Sequence, residues 1–284
     1  MKNYISLIRP RSWAKNGIVF LPLFFHGSLL QTAALASAFY AFFTFCVAAS
    51  FVYILNDIRD IDYDKLHFVK KNRPIASGVI STKQASTFAI ILLLLVIVLC
   101  VIAFPLFGLP FSLFIFAYIV LNIAYCFGGK NVPLVDVFFL SIGFLIRLYL
   151  GAYITGIPVS DWLYLTILCG SLYLSFGKRK KELENSPDVR PVLYNYTIPF
   201  LTSAVNICLV LSITFYSLWC INTHPLNKFT IPVFLFTILK YHLTLENSLS
   251  GDPIENIFKD KLLLLFAFLL FLIMFFIQYL YPIM

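Results

Sequence analysis

Four aspartates, Asp57, Asp60, Asp62 and Asp64, crowd into "NDIRDIDYD" (56–64) of a 284-residue chain that holds only 13 acidic residues. Asp57, Asp60 and Asp64 recur at i, i+3 and i+7. On a helix that spacing lines three carboxylates along one face, with Asn56 at its edge. Like charges so close repel unless a counter-ion joins them. A hard divalent cation is the usual solution, and Mg²⁺ is typically held by one or two carboxylates plus the phosphates of a substrate. Asn56, Asp57, Asp60 and Asp64 are therefore the expected metal seat; a solvated loop of mixed charge is the alternative. Asp62 and Arg59 fall off that face and are expected to pair. His67 continues the face, but magnesium rarely takes imidazole and no ligand role is expected of it. Lys65, Lys70, Lys71 and Arg73 follow at once, cations suited to anionic substrates.

The segments around this stretch are those of a membrane protein. The chain is 61% hydrophobic and 12% charged, whereas soluble domains carry roughly twice that share of charge. Apolar runs fall at 15–31, 33–55, 83–104, 109–128, 133–153, 161–177, 195–221, 229–246 and 261–282, each near the ~20 residues a span requires. They predict an all-α, polytopic bundle of nine transmembrane helices, with residues 1–284 forming a single integral-membrane domain. Lys and Arg sort to one side if the N-terminus is cytoplasmic: the opposite connections then hold only Lys228, as the positive-inside rule demands. The net charge of +8 thus reflects topology and does not point to nucleic acid. The six cysteines form no CxxC pair and read as apolar packing residues.

Asn56, Asp57, Asp60 and Asp64 match the NDxxDxxxD signature of the UbiA-type prenyltransferase superfamily. The signature falls between helices two and three, where that family places it. "RPRSWAKN" (9–16) and "RPIASG" (73–78) are similar to that family too. The resemblance implies a diphosphate held through Mg²⁺ at this motif, with Arg9, Lys15 and Arg73 adding charge around it. Tyr125 and Lys130 resemble the family's Tyr…Lys pair that reaches phosphate; an interfacial aromatic and a topological lysine are the plainer reading.

Typical members carry a second Asp-rich motif in the loop after helix six. Here that loop reads "GKRKKELENSPDVR" (177–190), and its acids Glu182, Glu184 and Asp188 lack the DxxxD spacing. Bare cations in place of a metal site suggest direct binding of phosphate by Lys178, Arg179 and Lys181. Together with "GDPIENIFKD" (251–260), the pattern resembles the decaprenyl-phosphate phosphoribosyltransferase branch. That branch uses 5-phosphoribosyl 1-diphosphate as donor and a polyprenyl phosphate as acceptor. It implies a bacterial cytoplasmic membrane enzyme of glycan precursor synthesis, its site facing the cytoplasm and its assembly a homotrimer. The rival within the family moves a prenyl group from a prenyl diphosphate to an aromatic or quinone precursor. A transporter is disfavoured, because the charge lies at a membrane surface and not at the midplane.

Two further expectations concern helix geometry. Asp252, Pro253 and Glu255 fit N-cap, N1 and N3 of helix nine. Arg147 lies roughly 16 Å beyond Asp136 along helix five. A guanidinium that deep must face the interior and find a partner, either a substrate or a fixed internal ion pair.

Overall fold

The computed structural model describes residues 2–66, 70–185, 190–249 and 251–280, and among these it is helical with no strand. His67 and Asp188 lie outside the described residues. In chain order the helices are α1 (Lys2–Ile8), α2 (Leu21–Phe25), α3 (Thr32–Arg59), α4 (Ile61–Leu66), α5 (Thr82–Phe127), α6 (Val135–Thr155), α7 (Asp161–Asn185), α8 (Ile198–Asn222), α9 (Thr230–Asn247), α10 (Pro253–Lys259) and α11 (Lys261–Phe275). The protein is a multi-pass membrane protein: α3, α5, α6, α8 and the Lys261–Leu280 segment are each long and apolar enough to cross a bilayer. Large side chains such as Val101, Leu106 and Ile221 are exposed, which suits lipid and not water as their solvent.

Two of the expected helices, the first and the sixth, differ from the sequence reading. The run 15–31 is not a continuous α-helix; Pro10–Phe20 is a 3-10 helix that passes into α2. Runs three and four are recovered as two helical stretches within α5, broken between Pro105 and Pro110 at Gly108, whose φ of 66° and ψ of −170° are not helical. At 1.5 Å per residue the 46 residues are about twice a bilayer's thickness, enough for two passes. Helix six does not stop at 177 but runs to Asn185. Lys, Arg and Glu are good helix formers with no breaker among them, so the basic run lies on a helix and not in a loop.

The chain divides into two compact units. The first takes in residues up to Leu23, Gln31–Phe139 and Ile146–Ile157. In it α3 packs along α5 through small residues: Ala38, Ala41, Ala48 and Ala49 of α3 and Ala85 and Ala103 of α5 are fully buried. In lipid, small side chains of this kind let helices approach closely and gain dispersion contacts. Gly151 of α6 serves the same end, since a Cβ there would lie 2.1 Å from the Val19 carbonyl oxygen. Phe45 meets Tyr118 edge-on, centroids 5.1 Å apart.

The second unit takes in Phe24–Leu30, Leu140–Leu145 and the chain from Pro158. There α7 pairs with α8 and α9 with α11. Tyr216 stacks on Phe234 and Phe236 lies tilted against Phe266, each pair with centroids 3.9 Å apart. The expected cap of helix nine belongs instead to the separate short α10, where Asp252 Oδ1 accepts from the Ile254 N–H at 2.9 Å. Asp260 starts the spanning helix itself, accepting from the Leu262 and Leu263 N–H groups. Two Asp caps eight positions apart divide what looked like one start signal.

Candidate active site

The acid motif straddles a helix end. α3 stops at Arg59 and α4 begins at Ile61, with Asp60 bonded to both: its N–H donates to Asn56 O at 2.9 Å and its carbonyl accepts from Asp64 N–H at 2.7 Å. Asp57 and Asp64 still meet across the break, since both accept from Arg73 Nη1. Asp57 and Asp64 are each 3% exposed.

Cations from three other segments converge on these carboxylates. Arg73 Nη1 donates to Asp57 Oδ1 at 3.0 Å and to Asp64 Oδ2 at 2.6 Å. Those two oxygens can be no further apart than the sum of the two distances. Arg9 Nη2 also donates to Asp57 Oδ1, and its guanidinium lies 5.2 Å from the centroid of the Tyr53 ring. Lys130 Nζ bonds Asp60 Oδ1. Asn56 Nδ2 donates to Asp60 Oδ2 at 3.1 Å, and Cys126 Sγ to Asn56 Oδ1 at 3.4 Å.

Local backbone geometry aims each cation. Arg9 has φ 51° and ψ 64° although it precedes a proline, a left-handed conformation that costs about 1 kcal/mol or more. The arm that carries it is tied to α3, where Ser50 Oγ accepts from Trp13 Nε1 at 3.1 Å and donates to the Ile8 carbonyl at 3.0 Å. The "RPIASG" turn closes through Ser77 N–H to Arg73 O and Ile80 N–H to Pro74 O, both 2.9 Å. Its Ile75 and Ile80 are buried in the core, leaving Arg73 at the rim.

The remaining expectations divide. Asp62 does not pair with Arg59: its carboxylate is fully exposed with Lys65 3.9 Å away, and Arg59 lies 4.3 Å over the Phe127 ring. Arg147 is buried apart from the acid cluster. Its Nε donates to Asn16 Oδ1 at 2.8 Å and its Nη2 to the Tyr118 hydroxyl at 3.0 Å, with the Tyr118 and Phe45 rings 4.5 and 5.3 Å away. Lys15 and Tyr125 are half-buried, on the 3-10 helix and the last turn of α5.

In the second unit the cations of α7 are not bare. Arg179, only 1% exposed, pairs with Glu182; Lys181 pairs with Glu184 at 2.9 Å and donates to Glu246 O at 2.8 Å. Lys180 reaches both Glu246 carboxylate oxygens, at 2.8 and 2.9 Å. The carboxylates sit one turn along the helix, a spacing that a search for DxxxD passes over. Lys178 is half-buried, and its backbone lies so close to Gly251 that a Cβ there would come within 2.9 Å of its Cα. "GDPIE" is thus folded onto the basic run.

The UbiA prenyltransferase family matches residues 19–188, more than half of the chain. The chain belongs to this family. It is therefore an enzyme, a membrane-embedded transferase of UbiA type. Among named relatives, decaprenyl-phosphate phosphoribosyltransferase of Mycolicibacterium smegmatis is 32% identical over 91% of this chain and 87% of its own length. The protein of that name from Mycobacterium tuberculosis is also 32% identical, over 93% and 90%. In fold the chain is similar to a UbiA homolog from Archaeoglobus fulgidus solved with GPP and Mg²⁺, with a TM-score of 0.73 over 97% of this chain and 99% of that one at 17% identity.

Whether this member's residues fit a divalent ion can be tested on the donor set. Among the described residues no three acidic, histidine or cysteine side chains form a cage. What the cluster offers is hard carboxylate oxygens, two of them close enough to share one nitrogen. That suits Mg²⁺, which takes few protein ligands and completes its shell with water and substrate phosphate. The residues fit.

Proposed function

We propose that the protein transfers the 5-phosphoribosyl group of 5-phosphoribosyl 1-diphosphate to a polyprenyl phosphate, decaprenyl or similar, releasing pyrophosphate. Residues 1–284 act as one transferase domain in a bacterial cytoplasmic membrane, with the acid motif facing the cytoplasm. Likeness along nearly the whole chain to relatives named for that transfer carries the reading. The basic run at Lys178–Lys181, where the family's second acid motif would stand, supports it against prenyl transfer.

The chemistry needs few groups. The C1–O bond to pyrophosphate breaks, and an oxygen of the lipid phosphate forms the new bond to C1 from the opposite face. That oxygen is anionic at neutral pH, so no general base is required. Asp57, Asp60 and Asp64 would hold Mg²⁺, which when bound neutralises the diphosphate and lowers the cost of its departure. Arg9, Arg73 and Lys130 stand beside those carboxylates as fixed donors for the charge that grows on the leaving group, with Lys15 and Tyr125 close in sequence to two of them. We assign the second phosphate to Lys178, Arg179 and Lys181. Arg147 is bonded to Asn16 and Tyr118 in the interior, and its proposed part is to keep the 3-10 helix that carries Asn16 in register with α5 and α6.

The test is to supply each donor–acceptor pair to membranes containing the protein. Product from 5-phosphoribosyl 1-diphosphate with decaprenyl phosphate, lost on chelation and restored by Mg²⁺, is expected. Product only from a prenyl diphosphate with an aromatic acceptor would replace this reading by the rival.

A further inference from the structure

The last turn of α5 and the turn after it form a wall against the acid motif. Cys126 is 2% exposed, and its thiol donates to Asn56 Oδ1 across 3.4 Å. One turn later the chain doubles back at Gly129, where a Cβ would come within 2.9 Å of the Phe139 ring. The close approach delivers Lys130 to Asp60 Oδ1, while Asn56 Nδ2 takes Asp60 Oδ2 at 3.1 Å. The order is Cys126 to Asn56 to Asp60, with Lys130 closing the far side.

Chemistry fixes which way the Asn56 amide points. An ionised carboxylate only accepts hydrogen bonds, so Asn56 must turn its NH₂ to Asp60. Its oxygen then faces the Cys126 thiol. Each Asp60 oxygen keeps a second lone pair directed elsewhere.

We propose that Cys126 is a positioning residue, and that Asn56 acts through Asp60 and not as a metal ligand. The thiol sets the amide, and the amide with Lys130 sets the Asp60 carboxylate that presents to the metal-bound diphosphate. This rests on the metal–diphosphate reading of the site and deepens it by dividing "ND" into a ligand, Asp57, and a support, Asn56.

The test uses the full chain in lipid nanodiscs, with Mn²⁺ as probe, inorganic pyrophosphate as the anion, and binding read by electron paramagnetic resonance. The Mg²⁺ half-saturation of turnover is measured alongside, with thermal unfolding of each variant. Supporting partners of this kind typically alter metal affinity 10–100-fold. Cys126→Ala is expected to weaken Mn²⁺ binding about ten-fold, with turnover at saturating Mg²⁺ largely kept. Cys126→Ser, which donates the same bond, should stay within about two-fold of the wild type. Asn56→Asp is the sharpest variant. It sets a carboxylate against Asp60 and removes the donor, so binding should fall by about ten-fold or more. Were Asn56 a ligand, the added charge would keep or tighten binding, and that result overturns the proposal. So does a Cys126→Ala variant that binds as the wild type, or a serine variant as weak as the alanine. Ser and Asp each differ from the native side chain by one atom, and they carry the test if Cys126→Ala does not fold. A wild type that binds no Mn²⁺ with pyrophosphate overturns the metal–diphosphate reading itself, and the inference with it.

Discussion

The two units each hold a cluster of cations on carboxylates, and the two clusters are built differently. In the first, the pairs join residues far apart in sequence: Arg9 with Asp57 across 48 positions, Lys130 with Asp60 across 70. In the second, Arg179–Glu182, Lys181–Glu184 and Lys180–Glu184 are one turn apart on α7, and Glu246 of α9 adds the long-range contact. Pairs one turn apart form on any helix and contribute a few tenths of a kcal/mol each. Pairs brought together from three separate segments exist only because the fold puts them there. The first cluster exists only through the fold of its unit; in the second, cations proposed for the second phosphate share their charge with carboxylates on the same helix.

That contrast ranks the effects of mutation. Asp57→Asn and Asp60→Asn should each lower turnover on the order of 10²–10³-fold, while the protein still inserts and unfolds cooperatively. Retained turnover in both would remove the metal role. Arg73→Ala comes next, because it takes the shared partner from two buried carboxylates. We expect a loss of about 2 kcal/mol in stability, discounted for the partial exposure of Arg73, and a raised KM for the diphosphate donor; Arg73→Lys should recover only part of each, because the ammonium is more strongly hydrated and less pre-organised than the planar guanidinium. Glu246→Gln should act more weakly. Lys180 loses a charged partner at a rim where Glu246 is 34% exposed, so about 1 kcal/mol or less of stability is at stake. If it matched the aspartate variants in activity, the division between the clusters would fail.

The smallest expected effect concerns Asp260. Lys240 and Thr244 bond its Oδ2, both at 2.7 Å, and hold its carboxyl down to about 2 from an ordinary 3.8. A depressed acid stabilises the fold above its unfolded value and loses that contribution as pH falls through the folded one. Wild type and Asp260→Asn should therefore differ in unfolding temperature at neutral pH and converge between about pH 4 and 2.

Much of the first cluster was legible in the sequence. The i, i+3, i+7 face needs only helical geometry, and Asp57 and Asp64 still share Arg73 across the break between α3 and α4. Arg9, Arg73 and Lys130 were legible as candidates by their charge and their motifs. Which carboxylate each one meets depends on the αL turn at Arg9, the closed "RPIASG" turn and the close approach at Gly129, and none of these is a periodicity. Cys126 passed as packing; its signal was to sit four residues before Lys130, on the face turned to the acid motif. In the second unit the basic run suggested unpaired cations because a search for a second acid motif looks for Asp pairs. The Glu residues one turn on, and Glu246 on another helix, neutralise it instead. The α10–α11 boundary was hidden for a related reason: two capping aspartates close together read as one helix start.

The central claim is that the carboxylate–cation cluster of the first unit holds the diphosphate of a phosphorylated sugar donor. The most direct measurement is the mass of the lipid formed when purified protein, Mg²⁺, 5-phosphoribosyl 1-diphosphate and decaprenyl phosphate are combined, with released pyrophosphate counted in parallel. The account predicts a lipid heavier by one phosphoribosyl group, one pyrophosphate per lipid, and both products formed on the order of 10²–10³-fold more slowly by Asp57→Asn. Unchanged lipid and intact donor, from a protein that consumes a prenyl diphosphate under the same conditions, would contradict it.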